Sequence, residues 1–229
     1  SPLGGAIVYA ATRRNTEKLA EVLAKEGWRV AAYHAGLSAS VREGVNRRFA
    51  DRSLDMVVAT NAFGMGIDFP DVRMVVHFQT PGSLEAYYQE AGRAGRDGLP
   101  ASCVLYFGRG DLTLQRRLSS GNRGGDARVS EALAAVEDYA MAASCRQQIL
   151  CSHFTGTPES DLCGLCDACA DPEGVHVPAP ARAPKIEPLL PAEKEIIVEA
   201  VGSLRKPVGK ANLAKALRGS RAKTLSRGG

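Results

Sequence analysis

Gln89-Glu90-Ala91-Gly92-Arg93-Ala94-Gly95-Arg96-Asp97-Gly98 sets two arginines three residues apart, each directly preceded by a glycine. Residues 83–92 have the pattern of a helix with Ser83 as its cap, so Arg93 and Arg96 are expected near its C-terminal end, projecting from one face. An arginine pair so placed can grip a phosphate chain lying outside the element, because the guanidinium fork matches phosphate oxygens bidentately. Taken alone, the short string also fits a solvated turn. The stretch upstream decides between the two.

That stretch is Val57-Val58-Ala59-Thr60-Asn61-Ala62-Phe63-Gly64-Met65-Gly66-Ile67-Asp68, an apolar strand, then a glycine-rich loop, then a carboxylate. Together the two blocks resemble motifs V and VI of superfamily-two helicases. The wording Ala-Phe-Gly-Met-Gly-Ile-Asp followed by Gln-Glu-Ala-Gly-Arg-Ala-Gly-Arg-Asp-Gly is similar to that of the RecQ family. The resemblance is strong over residues 1–177 and weaker over 186–229. It implies an ATP-dependent DNA helicase of recombination and repair, moving 3′ to 5′, with ATP and Mg2+ held between two RecA-like lobes.

The first lobe of such an enzyme carries the phosphate loop and the acidic metal-binding motif. No Gly-x-x-x-x-Gly-Lys-Ser/Thr string occurs in these 229 residues, and Gly209-Lys210 runs into Ala211. The chain is therefore expected to start at the second lobe, with residues 6–13 matching motif IV, and to be inactive by itself. The resemblance assigns the arginine finger to Arg96 and phosphate contact to Arg93. It places Asp68 by the ribose, Gln89 by the phosphates, and Gly66 in the same ATP-binding loop. Thr12, Arg13, Thr60 and Asn61 follow the ends of expected strands, the edge at which open α/β sheets bind ligands. In the family those loops touch the DNA backbone, at single-strand/duplex junctions here. Tyr33-His34-Ala35-Gly36 is a further family string, in which His34 reads as structural. A competing class is a non-catalytic, zinc-stapled DNA-binding protein that keeps a helicase lobe.

Composition narrows the field without choosing. Hydrophobic residues make up 45% and charged ones 24%, ordinary for a soluble globular chain. The longest apolar run, residues 6–11, is too short to span a bilayer. The first residues carry no basic segment leading into an apolar one, so a cytoplasmic, DNA-associated protein is expected. Charge is uneven. Residues 1–112 hold 13 basic and 12 acidic side chains, 113–177 hold 5 and 9, and 178–229 hold 11 and 4. The basic excess sits in the tail, where nucleic acid is the natural polyanionic partner.

Periodicity gives an α/β reading. Residues 6–10, 29–33, 55–60, 74–78 and 101–107 are short apolar or β-branched runs, expected as strands. Residues 16–25, a stretch capped by Ser40 and running to 49, and 83–92 are expected helices between them. Strands separated by helices imply a parallel sheet with right-handed crossovers, a RecA-like lobe over 1–112. Residues 113–177 read as a helical zinc-binding module, broken by a Gly- and Ser-rich turn at 119–125. Residues 178–185 are a proline-spaced linker. Residues 186–229 hold two helical patterns, a partial winged-helix domain.

Cys163, Cys166 and Cys169 are spaced as metal ligands, and a chain without an export signal favours metal over disulfide. A tetrahedral zinc ion requires a fourth ligand, with Cys145, Cys151 and His153 as candidates. Cys145 and Cys151 are six apart on an expected helix, about 240° around its axis, so both cannot face one ion. The RecQ zinc module places its first cysteine before an arginine at the head of such a helix, as in Cys145-Arg146-Gln147, and this resemblance selects Cys145. Cys103, within an expected strand, reads as inert core.

Overall fold

The computed structural model describes residues 4–63, 69–119, 127–157 and 161–171. Gly66 and Asp68, the turn at 119–125 beyond Ser119, the linker and the expected winged-helix segment lie outside the described residues.

Five strands form one sheet: β1 (Gly5–Tyr9), β2 (Val30–Tyr33), β3 (Met56–Ala59), β4 (Val72–His77) and β5 (Ser102–Leu105). Their spatial order is β2-β3-β1-β4-β5 and every pair is parallel. Parallel neighbours demand crossovers. Between the strands run α1 (Arg13–Lys25), α2 (Ala39–Ala50) and α3 (Leu84–Ala91). The central strands are buried on both faces, as their unbroken apolar runs require. One side packs Phe49, Phe63 and Phe69 around Ile7, Val57 and Val75. Phe49 meets the other two edge-on, at 5.9 and 4.9 Å between ring centroids, a favoured arrangement of aromatic quadrupoles.

Helix ends are set by local hydrogen bonds, and two differ from the sequence reading. α1 begins three residues before the expected position 16, because the Thr12 side chain accepts the Asn15 N–H and makes Thr12 the cap. The cap of α2 is Ser38 rather than Ser40, its hydroxyl accepting from Val41 N–H at 3.3 Å. Gly27 ends α1 as its position implied. With φ at +91° it lets its own N–H reach Ala24 O and the Trp28 N–H reach Leu23 O, the double closure of a Schellman motif.

Beyond the sheet come α4 (Arg109–Ser119), α5 (Ala127–Met141), α6 (Arg146–Thr155) and the short α7 (Asp167–Ala170). α4 runs through the expected domain boundary at 112/113. Its Asp111 carboxylate accepts from Thr80 N–H, Thr80 Oγ1 and Gln79 Nε2, and Gln79 Oε1 accepts from Ala11 N–H and Asn15 Nδ2. The ends of β1 and β4 are thereby tied to the first turn of α4. Cys103 corrects the core reading: β5 is an edge strand, and the residue is exposed.

Candidate functional site

α3 starts at Ser83, whose hydroxyl accepts the Ala86 N–H, and ends at Gly92, whose N–H closes on Tyr88 O at 2.8 Å. The arginines follow in a turn rather than on the helix itself. Arg93 and Ala94 N–H donate to Glu90 O and Ala91 O, and Gly95 N–H then crosses to Val72 O at 2.9 Å. Gly95 has φ +62°, and a Cβ there would stand 2.7 Å from Leu99 O, so the turn requires glycine on both counts. Asp97 N–H reaches Pro70 O, and the Asp97 carboxylate pairs with Arg73, which also donates to Leu99 O and Pro100 O. The turn is thus stitched to the start of β4 on each side of Arg96.

Arg93 and Arg96 both lie against the core residues Ile7, Phe69 and Val72, around a gap too small to admit a water molecule. The Arg96 Nε–H donates to Gly92 O at 3.2 Å. Gln89 is exposed on α3, one position before the half-buried Glu90. The bracing fixes the backbone that carries both arginines, with Arg93 half-buried and Arg96 exposed.

The other expected residues collect at the C-terminal ends of the strands. Thr12 and Arg13 follow β1, His34 to Gly36 follow β2, and Thr60 and Asn61 follow β3; these three strands are neighbours in the sheet. Thr12 and Thr60 are half-buried, Arg13 and Asn61 exposed. The Arg13 side chain lies against Gly36, where an added Cβ would sit 3.0 Å from its guanidinium. His34 is buried with Nε2 3.0 Å from Glu17 Oε1 and Nδ1 accepting from Gly36 N–H. It is a satisfied structural histidine.

Cys145, Cys163, Cys166 and Cys169 bring their Sγ atoms within 4.8 Å of one another. Cys163 to Cys169 is 3.9 Å and Cys166 to Cys145 is 4.0 Å. A tetrahedron with bonds of about 2.3 Å to zinc has edges of about 3.8 Å, so the cluster has the size of a zinc site with four thiolate ligands. None of the cysteines is in a disulfide. Cys145 is the N-cap of α6 and not within it, and Cys166 caps α7. Cys151 and His153 lie outside the cluster. His153 instead meets Glu85 on α3 at 2.6 Å, and this contact holds the Glu85 carboxyl down to about 2.

Electrostatics within the cluster favour a cation. Burial raises the Cys145 thiol, but N–H donors from Cys163 and Gln148 outweigh it and bring it down to about 6. Burial likewise opposes ionisation of Cys166, and the Arg146 N–H lowers it. Cys169 is pushed the other way, to about 12, by burial and its bond to Cys166. Four thiolates in contact cannot all be charged without a counter-ion, and zinc with soft thiolate ligands satisfies that condition.

Arg146 braces this centre in a way the sequence did not disclose. Its Nε and Nη2 donate to both Asp167 oxygens at 2.9 and 2.8 Å, and its Nη1 donates to Tyr139 O at 2.5 Å. Its backbone N–H points at Cys166 Sγ. Tyr139 OH in turn reaches Tyr87 OH at 3.3 Å. Leu84 and Tyr87 of α3 pack with Val136, Tyr139 and Leu150 in one cluster. The helix leading into the arginine turn therefore rests on the helices leading into the cysteines. Leu84→Ala, at a residue 2% exposed, is expected to lower stability by roughly 2–5 kcal/mol, read from the midpoint of chemical denaturation.

Residues 2–98 match the family described as helicase conserved C-terminal domain, and residues 109–170 match RecQ zinc-binding. Among curated relatives, the ATP-dependent DNA helicase RecQ of Bacillus subtilis is 35% identical over 97% of this chain and 36% of its own length. The enzyme of the same name from Pasteurella multocida is 43% identical over 72% of the chain and 26% of its length. That of Haemophilus influenzae is 41% identical over 72% and 27%. The chain thus spans about a quarter to a third of the length of these relatives. No helix among the described residues is long and apolar enough to cross a membrane. With a parallel α/β lobe that carries the arginine turn, a four-cysteine centre whose neighbouring helices pack on the helix before that turn, and both family matches falling on those parts, the chain belongs to the RecQ helicase family as a C-terminal portion.

Proposed function

We propose that this chain is the second RecA-like lobe and zinc module of a 3′-to-5′ DNA helicase, working with a first lobe that supplies the phosphate loop and magnesium site. The observation that carries this reading is the braced turn that holds Arg93 and Arg96 three residues apart just beyond α3. Charge develops on the phosphoryl group during hydrolysis, and preorganised donors aimed at it act on the transition state. Arg96 serves as the finger, and Arg93 beside it contacts the phosphates, with Gln89, Gly66 and Asp68 toward the nucleotide. The strand-end groups Thr12, Arg13, Thr60 and Asn61 contact the DNA backbone, for which hydroxyl and N–H donors are suited. The zinc ion on Cys145, Cys163, Cys166 and Cys169 is structural, since four protein ligands leave no open position.

The test joins the chain to its first lobe and measures ATP hydrolysis with and without single-stranded DNA, together with unwinding of a 3′-tailed duplex. Stimulated hydrolysis and unwinding are expected, with no hydrolysis from the 229-residue chain by itself. Hydrolysis by the isolated chain, or none by the joined enzyme, would overturn the reading.

A second expectation concerns residues 186–229. The basic excess over 178–229 should make duplex affinity fall steeply with salt, through counterions released from neutralised phosphates. Deleting this tail from the full enzyme should weaken duplex binding and flatten the salt slope. Unchanged affinity and slope would show the charge to be a solvated face.

A further inference from the structure

The backbone leaving β1 enters the loop that carries Thr12 and Arg13, and in doing so it leaves the sheet ladder. Ala10 N–H still bonds Ala59 O at 2.8 Å. The next donor, Ala11 N–H, lies past the end of the ladder and takes a side chain instead, Gln79 Oε1 at 3.0 Å. The same oxygen accepts Asn15 Nδ2 at 2.8 Å, and Asn15 N–H donates to Thr12 Oγ1 at 3.1 Å. In that last bond the Thr12 hydroxyl accepts, so its own O–H is still a donor. One amide oxygen, brought in by the chain that follows β4, thus holds the loop on both sides of Thr12 and Arg13.

The other end of the Gln79 amide is fixed as well. Its Nε2 donates to Asp111 Oδ1 at 3.3 Å, and Asp111 Oδ2 accepts Thr80 N–H at 3.2 Å and Thr80 Oγ1 at 3.4 Å. A backbone N–H can only donate and an ionised carboxylate only accept, so a single orientation of the amide satisfies both sides. Asp111 stands in the first turn of α4, and Arg109 of the same turn donates to Glu137 of α5 at 3.1 Å. We propose that Gln79 is a positioning residue for DNA. It sets the Thr12–Arg13 loop where its hydroxyl and guanidinium meet the DNA backbone, with Asp111 as its anchor on α4. No proton moves and no bond is made or broken. The inference rests on the reading above that the strand-end groups contact DNA.

The test uses the two-lobed enzyme and reads the concentration of single-stranded DNA that half-maximally stimulates ATP hydrolysis. Gln79→Glu keeps an acceptor for Ala11 and Asn15 but sets a carboxylate oxygen against the Asp111 carboxylate, where like charges repel. Half-maximal stimulation is expected to require about 10-fold more DNA, the scale of one charge-assisted hydrogen bond to a phosphate. Turnover at saturating DNA should change by less than about two-fold, because the arginine turn is unaltered. Gln79→Met, which removes both polar ends, should raise the DNA requirement at least as much. Adding Asp111→Asn to Gln79→Glu should bring the requirement back to within about two-fold of the parent. The asparagine amide can donate to the new carboxylate while its oxygen still accepts from Thr80, so the two changes compensate. A lower thermal midpoint with an unchanged DNA requirement in Gln79→Glu and Gln79→Met would make the amide a structural link and overturn the inference. So would an exchanged pair no better than Gln79→Glu. An unchanged DNA requirement in Arg13→Ala, which leaves the Gln79 bonds in place, would instead overturn the strand-end reading, and this inference with it.

Discussion

Arg96→Ala in the two-lobed enzyme is expected to lower DNA-stimulated ATP turnover by about 10³–10⁵-fold while ATP affinity stays close to that of the parent. The asymmetry follows from where the charge is needed. A finger that meets the phosphoryl group only as negative charge develops stabilises the transition state more than the bound substrate, so its loss appears in kcat. Arg96 suits that role because it stands on a turn whose backbone is fixed from both sides, by Gly95 N–H on Val72 O and Asp97 N–H on Pro70 O. Truncating it should leave that bracing intact, so the variant should fold and bind. Arg96→Lys keeps the charge and loses the planar fork, and is expected to recover only a minor part of the lost rate. Single-turnover hydrolysis alongside equilibrium nucleotide binding separates the outcomes. Near-parental turnover would remove the finger from Arg96, and a parallel loss of affinity would make it a ground-state binding residue.

Much of the lobe was legible because apolar runs and punctuation agree. The five strands sit within two residues of their expected starts, Ser83 caps α3, and Gly27 closes α1. Where the reading slipped, the local chemistry was ambiguous. The first turn of α1, Arg13-Arg14-Asn15, has no apolar residue to mark a period, so only the Thr12 side chain discloses that it is helical. Ser38 and Ser40 are both plausible caps, and the choice depends on which hydroxyl meets an unsatisfied N–H. Cys103 lies in an apolar run, but whether a strand is central or at an edge is decided by sheet order, which no single strand encodes.

The site divides the same way. The arginine turn and the cysteine spacing are local words, and both were readable. The stack of Tyr9 on His77 and the contact of His77 Nε2 with Glu90 were not, because they join two strands and a helix and arise only through the parallel register of β1 with β4. Arg146 with Asp167 is a similar case. The pair joins the heads of two helices that flank the cysteines, and its partner Tyr139 comes from a third. Such contacts are consequences of the fold, while motif words precede it.

Cys145→Ser is expected to release the zinc ion and unfold residues 142–171, whereas Cys151→Ser should do neither. Among the described residues of that stretch only Cys145, Leu150 and Ala168 are buried, and Leu162 and Leu165 stand 68% and 90% exposed. So little apolar burial cannot hold two helix heads and the loop between them in place. Metal binding must supply the difference; in zinc-finger peptides its apparent free energy is about 10–16 kcal/mol near neutral pH. Cys145 is 2% exposed at the head of α6 with its Sγ 4.0 Å from Cys166 Sγ, so serine there removes a ligand from the interior of the cluster. Cys151 lies outside it, further along α6, its carbonyl accepting the Thr155 hydroxyl. Loss of the module should also loosen α3, through Tyr139 on Tyr87 and His153 on Glu85, so ATP turnover should fall along with zinc content. Metal analysis and limited proteolysis of both variants decide the matter. Zinc retained in Cys145→Ser and lost in Cys151→Ser would exchange the fourth ligand, and a parental protein with no zinc and an intact 142–171 segment would show that hydrogen bonds around Arg146 suffice without a metal.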